Sequence, residues 1–372
     1  MAGELPERNQ NHEIAWPMPV LFEIFIIACG AIMKGLFIPG VTELGASSDS
    51  FPSGIVIPGA NVMTLPPGEW VDLSDIDLTS SALDYRVSFS CASNHAYYSA
   101  DGTIQFAAPD VWPLEYRNGV AVGRHEPEVQ SDNIVVYAID FSKWFLLGTS
   151  VSTDESERVI SSSYAQRITA TRTDNFSRVM ITPTLNPTEY TLKIVVKSGN
   201  TSFLQGTIED NNALSNTLRF YVDMTSLNSS AVVSKGDISA LVNSKNIFNG
   251  WVEVILKVTI PAAGAYKVFF GPSSSFGSTS SNNGQYILSA FAQLERSTIS
   301  TSLINTNGIS ATRAAAFATV KNPGGLASAI MVHYSDNTSE QLEIPTNSPS
   351  IQLPQSANDW GKRYIQRIEY IR

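Results

Sequence analysis

Two stretches of this chain carry carboxylates close enough together to share a ligand. Asp72, Asp75 and Asp77 follow Trp70. In an extended segment Asp75 and Asp77 fall on one face. Paired carboxylates can bind calcium or serve as acid and base on a glycoside, although this spacing is not that of a calcium loop. Glu209 and Asp210 precede Asn211 and Asn212, an acidic turn that could also take calcium. No cofactor is expected otherwise. Trp144, Trp251 and Phe276 are the candidate glycan contacts, because a flat ring can cover the apolar face of a pyranose. For Trp144 and Trp251 the competing reading is core packing: Trp251 follows the turn Asn249-Gly250, where a large ring plugs the space under a loop. The four histidines, His12, His95, His125 and His333, have no metal-motif spacing. Neither a serine elbow nor a glycine-rich phosphate loop accompanies them, so no enzyme is expected.

The elements that must position these residues follow from composition and pattern. The 372 residues carry 24 Lys and Arg against 34 Asp and Glu, a net charge of -10. That balance disfavours a duplex nucleic-acid binder, which needs a basic footprint. Hydrophobic residues make up 43 %, enough for a packed core rather than global disorder. Cys29 and Cys91 allow one bridge at most, and two buried thiols are the preferred reading.

The chain opens with a polar arm that does not read as a secretory signal. A greasy segment, Pro19 to Val41, follows. Its longest uncharged run is ten residues, Ile24 to Met33, between Glu23 and Lys34. A membrane helix needs about twenty, so stable membrane insertion is not expected. Phe22, Phe25, Ile26 and Ile27 are instead candidates for docking against another protein, with burial in the chain's own core as the alternative.

From Phe51 onward short apolar runs alternate with Gly, Pro, Ser, Asn and Asp turns. Thr191 to Lys197, Leu218 to Val222, Trp251 to Ile260, Ala265 to Phe270 and Gln285 to Gln293 read as strands. The pattern predicts a mostly β protein: an antiparallel sandwich or jelly roll, with an extended N-terminal docking region and a small C-terminal β domain. The expected divisions are a docking arm over 1–50, a β-rich linker over 51–132, the sandwich over 133–296, a connector over 297–313 and the terminal module over 314–372. Ala327 to Tyr334, Glu340 to Ile344, Ser350 to Leu353 and Tyr364 to Ile371 are the terminal strands. The last of these has mixed faces and reads as an edge or a subunit contact. The Ser- and Asn-rich stretch Gly271 to Gly284 reads as a solvent loop, with ligand binding the alternative.

Several motifs resemble a known group in a fixed order. Leu83 to Asn133 carries Arg86, Phe89, Ala92, Ser93, Tyr97, Asp101, Gly102, Ala107, Ala108 and Gly123, and ends in Glu128-x-x-x-x-Asn133. Val136 to Trp144, Lys193 to Gly199, Asn249-Gly250-Trp251, Tyr286 to Glu295 ending in Ala-Gln-Leu-Glu, and Thr301 to Ala314 ending in Thr-Arg-Ala follow. Over Leu83 to Ala314 the chain resembles tailed-bacteriophage virion surface proteins of the tail-fibre or tail-spike type, with a sandwich like a carbohydrate-binding module. Cys91 stands where that group commonly has Arg, and the tryptophan before Ala-Gln-Leu-Glu is absent. The resemblance implies a non-enzymatic virion component, assembled in the host cytoplasm, that docks through its N-terminus onto other tail or capsid proteins. It also implies a homo-oligomer, with a trimer favoured. The alternatives are a receptor-binding protein for host surface polysaccharide and a capsid decoration or head-fibre protein. A depolymerase would need a long parallel β-helix or another deep groove with paired acids, and the chain has neither repeats nor enough length for it.

Overall fold

Thr188–Ser198 is the strand around which the fold is built. Its β-branched run pairs with Trp251–Ile260 on one side and Tyr286–Glu295 on the other, both antiparallel. Strand alternation sends Leu192, Ile194 and Val196 to one face, and Thr191, Lys193 and Val195 to the other. Both sets are buried, so this sheet is covered on both sides.

The structure, a computed structural model, describes residues 62–65, 69–211 and 215–372. The chain divides into two units, Met1–Val71 and Asp72–Arg372. Val62–Leu65 and Glu69–Asp72 form a two-stranded sheet that ends at the boundary of the first unit. Phe22, Phe25, Ile26 and Ile27, with the rest of the expected docking arm and Cys29, lie outside the described residues.

The second unit contains the sandwich. Its central sheet runs Thr149–Asp154, Ala165–Ala170, Tyr286–Glu295, Thr188–Ser198, Trp251–Ile260, Ser239–Phe248. The outer sheet runs Phe145–Leu147, Arg178–Ile181, Gly264–Pro272, Phe203–Asp210, Thr217–Asp223, Asn228–Lys235. Leu204, Ile208, Phe220, Val268 and Phe270 from the outer sheet meet Leu192, Ile194, Val254, Leu256 and Leu294 from the central one. This is a mostly β, antiparallel sandwich, as the turn-punctuated strand pattern predicts.

A third layer covers the other face of the central sheet. Val195, Trp251, Leu288 and Phe291 pack there against Tyr98, Ile104, Ile160, Leu303 and Trp360. The cluster around Phe291 thus contains two tryptophans, Trp251 and Trp360. The peptide expected to be a mere connector lies in this layer. Thr301 accepts at its carbonyl from Lys193 Nζ at 2.7 Å, and Gln293 Nε2 donates to the Ser302 carbonyl at 3.1 Å.

Strands from before and after the sandwich interleave. Val87–Cys91 pairs with Ala316–Lys321. Tyr364–Ile371 pairs with Ala329–Tyr334, Val120–His125 and Ile76–Asp77. The edge or subunit-contact reading of Tyr364–Ile371 is therefore corrected: it is an interior strand. Its mixed faces arise because its charges find partners within the chain, Arg367 on Asp75 and Glu369 beside His333 at 3.2 Å. Among the described residues no helix is long and apolar enough to cross a membrane.

Candidate functional site

Two of the three rings singled out for glycan contact are closed off. Trp144 is 5 % exposed in the sandwich core, edge-on to Phe141 and Phe270, and its Nε1 donates to the Tyr137 carbonyl at 2.9 Å. Trp251 is 1 % exposed under the third layer, with Nε1 to Glu157 Oε2 at 3.3 Å. Neither offers a ring face to a sugar; for both, core packing prevails. Phe276 is 37 % exposed and meets Tyr221 edge-on at 6.4 Å.

The acidic stretches are engaged one by one. Asp72 faces Arg86 at 3.3 Å, Asp75 pairs with Arg367, and Asp77 accepts from the Thr79 amide at 2.8 Å. Glu209 lies 3.5 Å from Lys267 Nζ, and Asp210 accepts from Ser215 Oγ at 2.8 Å. Among the described residues no group of three His, Cys, Asp or Glu could hold a metal ion. Cys91 is a buried free thiol.

A buried polar network joins the third layer to the sandwich. Glu115 Oε1 lies 3.0 Å from His125 Nδ1, and Glu128 Oε1 lies 3.5 Å from His125 Nε2. Glu128 also pairs with Arg313 at 2.5 Å and accepts from the Ser302 amide at 2.6 Å. Glu295 accepts from Ser131 Oγ at 2.6 Å and from the Thr301 amide at 3.0 Å, and the Asn133 side chain bonds the Leu294 amide and the Ile304 carbonyl. Burial pushes Glu115 up to about 8 and His125 down to about 4. Against burial, which would raise it, the Arg313 charge holds Glu128 below the usual carboxylate value. An acid beside a neutral imidazole could move a proton. The two clefts on this cluster enclose only about 280 Å³ each, open solvent included, at the bottom of the usual range for a ligand pocket (about 300–1,000 Å³). The network's evident work is fastening: Glu128, Asn133, Lys193, Gln293, Glu295 and Arg313 all come from the ordered motifs. Their convergence was not readable from spacing alone.

The outer sheet presents a different surface. Alternation points Gln205, Thr207, Tyr221 and Phe269 away from the core. Arg178, opposite Leu147, belongs to the same face. Gln205 is the cross-strand partner of both Tyr221 and Gly271. A Cβ at Gly271 would run into the Ser177 carbonyl oxygen, so only glycine lets the Arg178 strand come so close. Arg178 Cζ sits 3.9 Å from the Phe176 ring centre and 4.0 Å from that of Phe269. Phe176 is 42 % exposed, whereas Arg178 is 8 % exposed. Ser177 Oγ, Arg178 Nε and Gln205 Oε1 are buried without a hydrogen-bond partner. Contacts run continuously from Phe176 over Arg178, Ser177, Gln205 and Tyr221 to Phe276.

The loop bearing Phe276 is tied down. Ser273 Oγ donates to the Ser275 and Ser278 carbonyls at 2.9 and 2.8 Å, and the Ser274 amide to Ser280 at 2.9 Å. Ser281 bridges to Asn175. Of this surface, sequence reading found Phe276 alone. Arg178 begins a four-residue strand too short to show alternation, and Phe176 lies in the loop before it.

No family model and no curated protein matches this chain. Among solved structures it is similar to the CBM22-1–GH10 modules of a Clostridium thermocellum endo-1,4-beta-D-xylanase complexed with xylohexaose. The identity is 11 %, covering 45 % of this chain and 28 % of that one, with a TM-score of 0.28. This chain thus spans less than a third of that one's length. It is also similar to a carbohydrate-binding module from Cellvibrio mixtus lichenase 5A in complex with cellotriose, at 12 % identity over 44 % of this chain and 98 % of that one, TM-score 0.25. At such TM-scores neither likeness bears on function, and the sandwich here is assigned from strand order and core alone.

Proposed function

We propose that this chain is a non-enzymatic recognition protein whose sandwich binds surface polysaccharide through its outer sheet. The observation that carries this reading is the row from Phe176 to Phe276. Two partly exposed rings lie at its ends, and the Arg178 guanidinium lies in the row between them, stacked on Phe176. Ring faces suit the apolar side of a pyranose, and the N–H donors of an arginine suit its oxygens. A loop held by its own serine hydrogen bonds keeps Phe276 in place, which limits the ordering cost of binding.

The finer setting is an appendage of a bacteriophage virion, a tail fibre or a related surface protein that docks through its N-terminus. It is supported by the ordered motifs over Leu83 to Ala314. In that setting the polysaccharide belongs to the host surface.

The test is binding of the full chain to a panel of neutral and acidic bacterial-type oligosaccharides, by calorimetry, beside the double variant F176A/F276A. Micromolar to millimolar binding, about -8 to -4 kcal/mol, is expected. The variant should bind at least about tenfold more weakly with an unchanged melting temperature. A panel without a single binder, or a variant that binds as well as the wild type, overturns the reading.

A further inference from the structure

The outer-sheet surface contains a cation that makes no salt bridge among the described residues, although Glu209 acts on it from farther away and Arg219 opposes it. Among the described residues, the Arg178 guanidinium has no hydrogen bond and no ion pair, although it is nine-tenths buried. Burying an unpaired charge is costly, and natural chains pair such groups (Arg86 with Asp84 at 2.7 Å, Arg313 with Glu128 at 2.5 Å). Burial lowers Arg178 to about 10, so it stays charged at neutral pH.

Its geometry says what would satisfy it. Phe176 and Phe269 cover the guanidinium at 3.9 and 4.0 Å from their ring centres. A cation held by rings keeps its in-plane N–H donors for a ligand, and that planar fork matches the two oxygens of a carboxylate. Glu209, the nearby carboxylate, is drawn to Lys267 at 3.5 Å. The whole chain, at -10, repels anions, so an acidic ligand would have to be selected by this local site rather than by the overall field.

We propose that the outer-sheet site takes a carboxylate-bearing sugar, a uronic acid residue within a polysaccharide, with its carboxylate on the fork of Arg178. This rests on the glycan reading above and narrows its ligand class.

The experiment measures binding of the full chain to oligogalacturonate and oligoglucuronate, to their methyl esters, and to neutral oligosaccharides of equal length. The expected result is binding of at least one uronate oligomer, weakened about tenfold or more by esterification and by raising NaCl from 50 to 500 mM. R178Q should lose about tenfold or more of that affinity, and R178K should lose nearly as much because it keeps the charge without the fork. If R178Q does not fold, the ester and salt comparisons on the wild type decide. Equal affinity for uronate and ester, or neutral oligomers bound in preference, overturns this inference and leaves glycan recognition standing. No binding by any oligomer overturns both.

Discussion

Glu115 and His125 place two opposed proton equilibria at one hydrogen bond. Burial raises Glu115 from its ordinary 4.5 to about 8, so the folded state keeps a proton that the unfolded state loses. Stability from this group is complete below pH 4.5 and is lost as pH climbs through 8. His125 is lowered from 6.5 to about 4, so its contribution is present above 6.5 and lost as pH falls through 4. Between 4.5 and 6.5 the slopes oppose each other. From 6.5 to 8 the Glu115 slope acts alone, about 1.4 kcal/mol per pH unit. Urea unfolding at pH 6.5 and 8 should therefore show a loss of about 2 kcal/mol from this group. Glu115→Gln should flatten that decline; a decline of equal steepness in the variant would refute the assignment. Chemistry at this scale was only partly legible. Phe276 stood out as an aromatic in a polar loop, but nothing in the spacing of Glu115 and His125 said that they meet.

Close approach between strands makes the elements sensitive at specific positions. A Cβ at Gly206 would strike the Phe220 ring across the strand pair Phe203–Asp210 and Thr217–Asp223. Gly206→Ala should therefore destabilise by about 1–3 kcal/mol, read as a drop in melting temperature. In the third layer, Arg313→Leu removes the cation from a buried Glu128 and should cost about 3–5 kcal/mol. An exposed pair such as Arg367 and Asp75 should matter far less. Trp251–Ile260 and Tyr364–Ile371 have the bounds that their turn signals announced. Asn228–Lys235 and Ser239–Phe248 escaped notice. They are edge strands of their sheets, largely exposed, and rich in Ser and Asn, so no apolar alternation is imposed on them.

At the scale of the molecule, the interleaving of strands from 72–133 and 314–372 makes the sandwich dependent on both. A fragment over 133–313 would bare Trp251, Phe291 and the charges of Lys193 and Glu253 on the central sheet. It should be insoluble or unfolded by circular dichroism, whereas a chain starting near residue 70 should stay folded; a well-folded 133–313 fragment would contradict this dependence. The assembly expected of an appendage protein is testable by mass in solution. A trimer is expected with and without the first fifty residues, and a monomer in both forms would sink the autonomous trimer. The sequence by itself determined the class of the fold, because β-branched runs between turn residues can bury one face only as sheets. It also identified, through ordered motifs, most of the residues that now form the buried network. Tertiary structure alone decided that Trp144 and Trp251 go inside, that Tyr364–Ile371 pairs with a strand as far back as Ile76–Asp77, and that Arg178 lies unpaired among rings. Those outcomes depend on contacts between residues far apart in sequence, and local spacing contains no record of which distant partner a side chain will meet.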